Sequence, residues 1–355
     1  MQQNREKTMQ PARSLKPAFA AALVLSGLAL AALPAQAQEQ IYKGKQIRMV
    51  IASGAGGGYD TYARVLSRHL ANNIPGKPNV IDQNMPGASG MAATNWGYKV
   101  AAKDGLTIVS TYNALLLEPL FGNKSAQYNP RELEWVGSIS KQQNICMTWH
   151  TSPIKTIDQA KEREVVVAAT GATGNAATLP KMVNAMLGTK FKVVGGYETT
   201  ESRLAVERGE AEGICGLSWS TLKASNPEWT QNKRMNILLQ TGDTRQAELP
   251  DVPLLIDMVQ NPNDKKLLQI LSVPEDMGRP FFMAPGTSKD MVTIIRRAFD
   301  ATMKDKAFLA DAERSNLEVD PITGEDMQTR ITEAYQADKP IIDRMSELMG
   351  RQTKG

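Results

Sequence analysis

The stretch Ser53-Gly54-Ala55-Gly56-Gly57-Gly58-Tyr59-Asp60 decides how this chain is read. It follows an apolar run (Ile47, Met49, Val50, Ile51) and precedes apolar residues at helical spacing (Tyr62, Val65, Leu66, Leu70). A strand therefore runs into a glycine loop, and the loop opens a helix. Glycine leaves the backbone uncovered, so Gly56, Gly57 and Gly58 can bring unpaired N–H groups close to a bound anion. Asp60 has the position and the charge to cap the first turn of that helix.

Working outward, Val80–Asp82 is a short strand, and the turn Met85–Gly90, with Ala88 and Ser89, precedes a helix over Met91–Val100. The strand Thr107–Thr111 then ends at Tyr112-Asn113. This is a βαβαβ unit, which argues for a parallel sheet with helices on its faces. Two apolar bursts, Trp135–Ile139 and Ile145–Thr148, lead to a second unit of the same plan. Its strand Val165–Ala169 runs into the loop Thr170-Gly171-Ala172-Thr173-Gly174-Asn175, in which Asn175 or Thr178 can equally cap the next helix. That helix carries Leu179, Met182, Val183, Met186 and Leu187, with Pro180 in its first turn or bending it. Lys192–Val194, the loop Gly195-Gly196-Tyr197-Glu198, a helix over Ser202–Arg208, and strands Ile214–Trp219 and Ile237–Gln240 complete the unit. Leu249–Pro253 reads as a crossing, Met291–Met303 as an amphipathic helix, and Ile331–Met349 as a terminal helix that Pro340 kinks or divides.

The expected architecture is α/β with two lobes, each a mostly parallel sheet flanked by helices. Lobe 1 comprises residues 38–142 plus 248–355, and lobe 2 residues 143–247. Ligands bind such sheets beyond the carboxyl ends of their strands. Gly54–Asp60 and Gly87–Gly90 would thus form one jaw of a cleft, and Thr170–Asn175 and Gly196–Glu198 the other. Ser53, Tyr112-Asn113 and Ser218-Trp219 are further ligand candidates, with Trp219 equally readable as an ordinary interface tryptophan. A clamshell of this kind closes around its ligand by a hinge motion.

The opening segment reads as an address. Arg5, Lys7, Arg13 and Lys16 give a basic start, Ala18–Leu33 is almost wholly apolar, and Ala35-Gln36-Ala37 offers small residues at a cleavage site. The expected product is a periplasmic protein starting after residue 37; the apolar run is short for a membrane span. Loss of residues 1–37 takes away those four bases and Glu6, and the formal charge falls from +4 to +1. No electrostatic case for nucleic acid remains. Cys146 and Cys215 either pair in an oxidising compartment or stay as two buried thiols. With only His69 and His150, no Cys/His cluster suggests a metal.

Cofactors and catalysis find little support. A dinucleotide fingerprint needs Gly or Ala at position 59, where Tyr59 stands, and no Walker pattern occurs. Neither histidine falls in a cleft loop, and no Gly-x-Ser-x-Gly elbow is present, so no serine has an evident base. A carboxylate-processing enzyme would have to use Asp60 or Glu198. No cofactor is expected, and the chain reads as a non-enzyme.

Several motifs resemble those of the periplasmic receptors of tripartite tricarboxylate transporters, the Bug or TctC family. Ser53–Asp60 with Ala63-Arg64 resembles the first signature, Asn84-Met85-Pro86-Gly87-Ala88-Ser89-Gly90 the second, and Lys103-Asp104-Gly105-Leu106-Thr107 the third. Gly171–Gly174, Tyr197, Leu204-Ala205 and Gly209–Glu212 resemble the second-lobe pattern, and Gly278-Arg279-Pro280-Phe281 with Ala284-Pro285 the return. The resemblance runs from about Ile41 to the end of the chain. It implies a type II periplasmic-binding clamshell, a monomer, that captures a small carboxylate and hands it to large and small membrane subunits; presentation to a sensor kinase is the alternative. It also implies that the carboxylate sits on backbone amides and ordered waters at the first loop. Two departures stand out. Ser53 replaces the usual Pro, and Tyr197-Glu198-Thr199 replaces Tyr-x-Gly, which puts an acid beside a cleft meant for acids. Glu198 there faces solvent, orients water, or marks a ligand with a donor group.

Overall fold

The structure is a computed structural model that describes residues 41–56, 58–169, 175–197 and 199–348. The leader at 1–37, Gly57, Thr170, Gly171, Thr173, Gly174 and Glu198 lie outside the described residues.

In chain order the elements are β1 (Gln46–Ile51), α1 (Gly58–Leu70), β2 (Asn79–Asn84), α2 (Met91–Lys99), β3 (Thr107–Ser110) and β4 (Glu134–Ser138). There follow β5 (Asn144–Trp149), β6 (Val165–Ala168), α3 (Asn175–Leu187), β7 (Phe191–Val194), α4 (Thr199–Glu207), β8 (Gly213–Ser218) and β9 (Met235–Gln240). The chain then returns through α5 (Pro262–Asp276), β10 (Pro280–Met283), α6 (Lys289–Thr302), α7 (Lys306–Arg314), β11 (Ile322–Thr323), α8 (Gly324–Ala334) and α9 (Lys339–Leu348), with a few shorter helical turns between. Two sheets result, ordered β11-β4-β10-β3-β1-β2 and β7-β6-β8-β5-β9.

Both sheets are mixed, where the sequence pattern suggests mostly parallel ones. β1 pairs in parallel with β2 and β3, and β6 with β7 and β8. β10 runs antiparallel to β3 and β4, β11 antiparallel to β4, and β5 antiparallel to β8 and β9. The reason is the route of the chain. β5 and β10 are the strands by which it enters each sheet from the other, so they run away from the carboxyl ends where the loops gather.

The period-2 pattern of the strands places one set of side chains on each face. Ile47, Met49 and Ile51 of β1 join Ile108, Val136, Phe281 and Met283, covered by Tyr62, Val65 and Leu66 of α1 and Ile295 and Phe299 of α6. Val50, Val109, Trp135 and Phe282 occupy the opposite face, in a cluster that continues through Leu267 and Val273 of α5 to Val165, Val167 and Val183 of the second sheet. Ile341, Met345 and Leu348 of α9 join the same cluster, so the C-terminal helix packs across to the second sheet. Pro340 opens α9, dividing the terminal segment into α8 and α9. α3 begins at Asn175, and Pro180 sits in its second turn.

Cys146 and Cys215 are register partners on β5 and β8, both fully buried, and the structure joins their sulfurs. The bond closes a loop with a sequence separation of 69, which by chain entropy is worth about 4 kcal/mol. Protein denatured without reductant should therefore show no titratable thiol, and the Cys146→Ser/Cys215→Ser double variant should melt several degrees lower. Two reactive thiols in the unreduced protein would show the pair to be open.

Candidate functional site

β1 delivers the chain into the glycine loop as the sequence suggests, but the loop is organised by Asp60 in an unexpected way. Asp60, 3% exposed, stands in the first turn of α1. It reaches back to accept the Gly56 N–H at 2.8 Å and also binds Arg64 Nε at 2.9 Å and Asn84 Nδ2 at 2.7 Å. Burial pushes its carboxyl up, but the hydrogen bonds from Arg64, Asn84 and Gly56 together outweigh this and hold it below its usual value. The anion-facing role expected of Gly56 is thus limited, because its N–H is taken. Gly56 has φ +81°, the left-handed region that lets its N–H turn inward. A Cβ at Gly54 or Gly56 would meet nothing within 4 Å, so the loop backbone faces open space. Ser53 carries a buried hydroxyl with no partner among the described residues, and its carbonyl accepts from Asn84.

Three further groups tie this loop to the middle of the molecule. The Tyr59 hydroxyl donates to Asn113 Oδ1 at 2.9 Å, and the Tyr59 and Tyr112 rings meet edge on with centroids 4.3 Å apart. Burial raises the Tyr59 phenol, which keeps it a neutral donor. Arg279 stacks on Tyr59 and Tyr62, at 4.4 and 4.9 Å from their centroids, and its Nη1 donates to Gln142 Oε1. Its Nη2 lies against Gly58, and its buried Nε has no partner among the described residues. Asn113 Nδ2 donates to the Pro274 carbonyl in the last turn of α5 at 2.7 Å.

Between the two sheets lies a cavity of about 350 Å³. Asn113 and Ala114 beyond β3 line it from one side, and Asn175, Thr178 and Met182 of α3 from the other. The floor is made by the crossings: Gln142 and Asn144 leading into β5, Thr241 and Gly242 leaving β9, and Pro274 and Glu275 at the end of α5. Glu275 faces the cavity while protein encloses the rest of it. Its Oε1 accepts from Asn144 Nδ2, and Thr241 Oγ1 lies 2.5 Å from its Oε2. Burial, partly opposed by those two hydrogen bonds and reinforced by neighbouring Asp276, pushes its carboxyl up to about 8.

Of the expected site residues, Asn113 and Asn175 line the cavity. Tyr59 and Tyr112 stand behind Asn113. Ala88 and the backbone of Ser89 lie in a short turn, Ala88–Gly90, whose Gly90 has no room for a Cβ beside Tyr112. Tyr197 is half-buried against the far face of the second sheet. Trp219 is in that sheet's core, its indole N–H donating to Glu248, and Ser218 caps the short helix that Trp219 opens. Neither lines the cavity. Gln142, Asn144, Thr241 and Glu275 were not singled out by the sequence. Thr241-Gly242 follows a strand and so obeys the rule that flagged the other loops. Glu275-Asp276 carried a subtler signal: two acids at the negative end of a helix dipole, where they are locally unfavourable.

The family model for the tripartite tricarboxylate transporter family receptor (TctC) matches residues 62–346. The chain belongs to that family. A curated relative, a UPF0065 protein of Bordetella bronchiseptica, is 25% identical over 299 residues, covering 81% of this chain and 82% of its own. Among solved structures, a TctC solute-binding protein from Polaromonas superposes with a TM-score of 0.69 at 18% identity, covering 85% of this chain and 99% of that one. An R. palustris protein solved with adipate gives 0.56 at 17% identity over 86% and 97%. These relatives share the two-lobed periplasmic-binding architecture. TctC receptors are solute-binding proteins, and among the described residues of this one no His, Cys, Asp and Glu group is placed to hold a metal.

The raised Glu275 carboxyl has a consequence for unliganded stability. Between about pH 4.3, the ordinary Glu value, and about 8, the folded state holds a proton that the unfolded chain has released. Its stabilising contribution is complete below that window and is lost as pH rises through it. Glu275→Gln, which cannot titrate, should melt above wild type at pH near 8, with the gap closing toward pH 5. A gap independent of pH would show that Glu275 is ionised throughout.

Proposed function

We propose that the glycine loop at 53–58 and the inter-sheet cavity are two parts of one binding site, in which a periplasmic receptor captures a small carboxylate for delivery to a tripartite tricarboxylate-type membrane transporter. The observation that carries the reading is Asn113. It lines the cavity and at the same time accepts from Tyr59, in the first turn of α1 beyond the loop. In this reading the carboxylate rests on backbone N–H groups of Gly54, Gly57 and Gly58 at the positive end of α1, with Ser53 and Arg279 beside it. Gly56 contributes shape, its N–H being held by Asp60. Asn175 with Thr170–Gly174 supplies the opposing jaw, with Glu198 beside it, while Tyr197 packs behind the second sheet. The lobes are assigned as residues 38–142 plus 248–355 and residues 143–247, with residues 1–37 removed on export. The adipate held by the R. palustris protein is in keeping with an acid as ligand.

A melting-shift screen over mono-, di- and tricarboxylates, followed by calorimetry and product analysis, tests this. A true ligand at a hundredfold excess over Kd stabilises the fold by about 2.7 kcal/mol and is recovered unchanged. Gly54→Val should keep the unliganded melting temperature, since its side chain enters open space, yet lose the shift because it covers the loop. A full shift retained in that variant would remove the loop from the site, and consumption of the ligand would replace the receptor with an enzyme.

A further inference from the structure

The lining of the cavity carries a charge pattern that a polycarboxylate does not satisfy. Two acids, Glu118 and Glu275, line it, and among the described residues no Lys, Arg or His does. Glu118 accepts from Asn123 Nδ2 within its own turn. Glu275 is the acid whose surroundings bear on the ligand's charge. Asn144 and Thr241, both neutral, occupy one position on each of its oxygens. A carboxylate offers about four acceptor positions, so it has capacity for a further donor. Leu117, Phe121, Leu179, Met182, Leu268 and Leu271 surround the space in between.

We propose, on the reading that this cavity is the ligand site, that the ligand is an acid with an apolar body and an ammonium group at its far end, and that Glu275 receives the ammonium. A second ligand carboxylate at that wall would stand against Glu275, and two carboxylates in contact must share a proton to coexist. An ammonium supplies the missing countercharge and a charge-assisted hydrogen bond in a site sheltered from water. Among the described residues, no other cation faces Glu275 in the cavity lining. Asp276, next in the helix, is held by Arg330 of α8, which also binds Asp243. Lys141 pairs with Asp320, and Arg279 is turned onto Tyr59 and Tyr62. The local network also accommodates the empty state. A protonated Glu275 can donate to Thr241 Oγ1, which accepts from the Asn144 N–H and can donate to the Asn144 carbonyl. Arrival of an ammonium then expels that proton from Glu275 to solvent.

The test is calorimetry on matched pairs that differ only at the far end, adipate against 6-aminohexanoate and terephthalate against 4-(aminomethyl)benzoate, with wild type and Glu275→Gln. In at least one pair the amino acid should bind about tenfold tighter or more, the margin of one charge-assisted contact, and Glu275→Gln should erase that preference. Binding of the amino acid by wild type should tighten from about pH 6.5 to about pH 8.5, because it needs the ionised carboxylate. This pH trend is read on wild type and so does not depend on how well the variant folds. Preference for the diacid in both pairs, weakening over the same pH range, would overturn the inference while leaving the carboxylate-receptor reading in place. Equal binding of hexylamine and 6-aminohexanoate would do the reverse, keeping Glu275 and removing the carboxylate. Silence of all the probes at millimolar concentration would count against both.

Discussion

A chain that builds two sheets with their strand ends facing each other has to cross between them, and each crossing strand must run against the strands it joins. β5 and β10 obey that constraint, and the cavity between the sheets is a consequence of it. Gln142 and Asn144 are in the cavity wall because the outward crossing passes there, and Thr241, Pro274 and Glu275 because the return does. The same segments are braced. Arg330 holds Asp243 after β9 and Asp276 at the end of α5, and Asn113 holds the Pro274 carbonyl. The cavity floor is therefore also the connection between the lobes, and a ligand that touches it touches the elements about which the lobes would move.

This arrangement explains which parts of the site were legible in the sequence. The βα units could be read because their periodicity is local: Ile47, Met49 and Ile51 alternate with the other face of β1, and Tyr62, Val65 and Leu66 repeat at helical spacing. The glycine loop could be read because it lies between two such patterns. What Asp60 does there was not legible. Capping the helix and bridging back to Gly56 demand the same residue at the same place, and Asn84 and Arg64 decide between them in three dimensions. Ser218 and Trp219 followed the strand-end rule yet turned away, because Glu248 offers the indole a partner on the outer side of the second sheet. Glu275 lies more than 130 positions from Asn144, and no spacing rule joins them.

The two ends of the site differ in electrostatic character. At the loop, backbone dipoles, Arg279 and a Ser53 hydroxyl without a partner among the described residues favour negative charge. At the floor, Glu275 is desolvated among neutral donors and takes up a proton to avoid carrying an uncompensated charge. In the proposed site, an acid-binding loop and an acid-bearing floor would together orient a ligand. They also give the empty protein a reason to be less stable than its packing allows, since Glu275 is a buried ionisable group awaiting a partner.

The central claim is that one ligand contacts both lobes at once. Amide hydrogen exchange followed by mass spectrometry, with saturating adipate or 6-aminohexanoate, whichever gives the larger melting shift, tests this directly. Exchange should slow in the peptide spanning Gly54–Gly58 and, together with it, in those covering the start of α3 and Thr241–Gly242. Protection confined to the peptides of one sheet would contradict it.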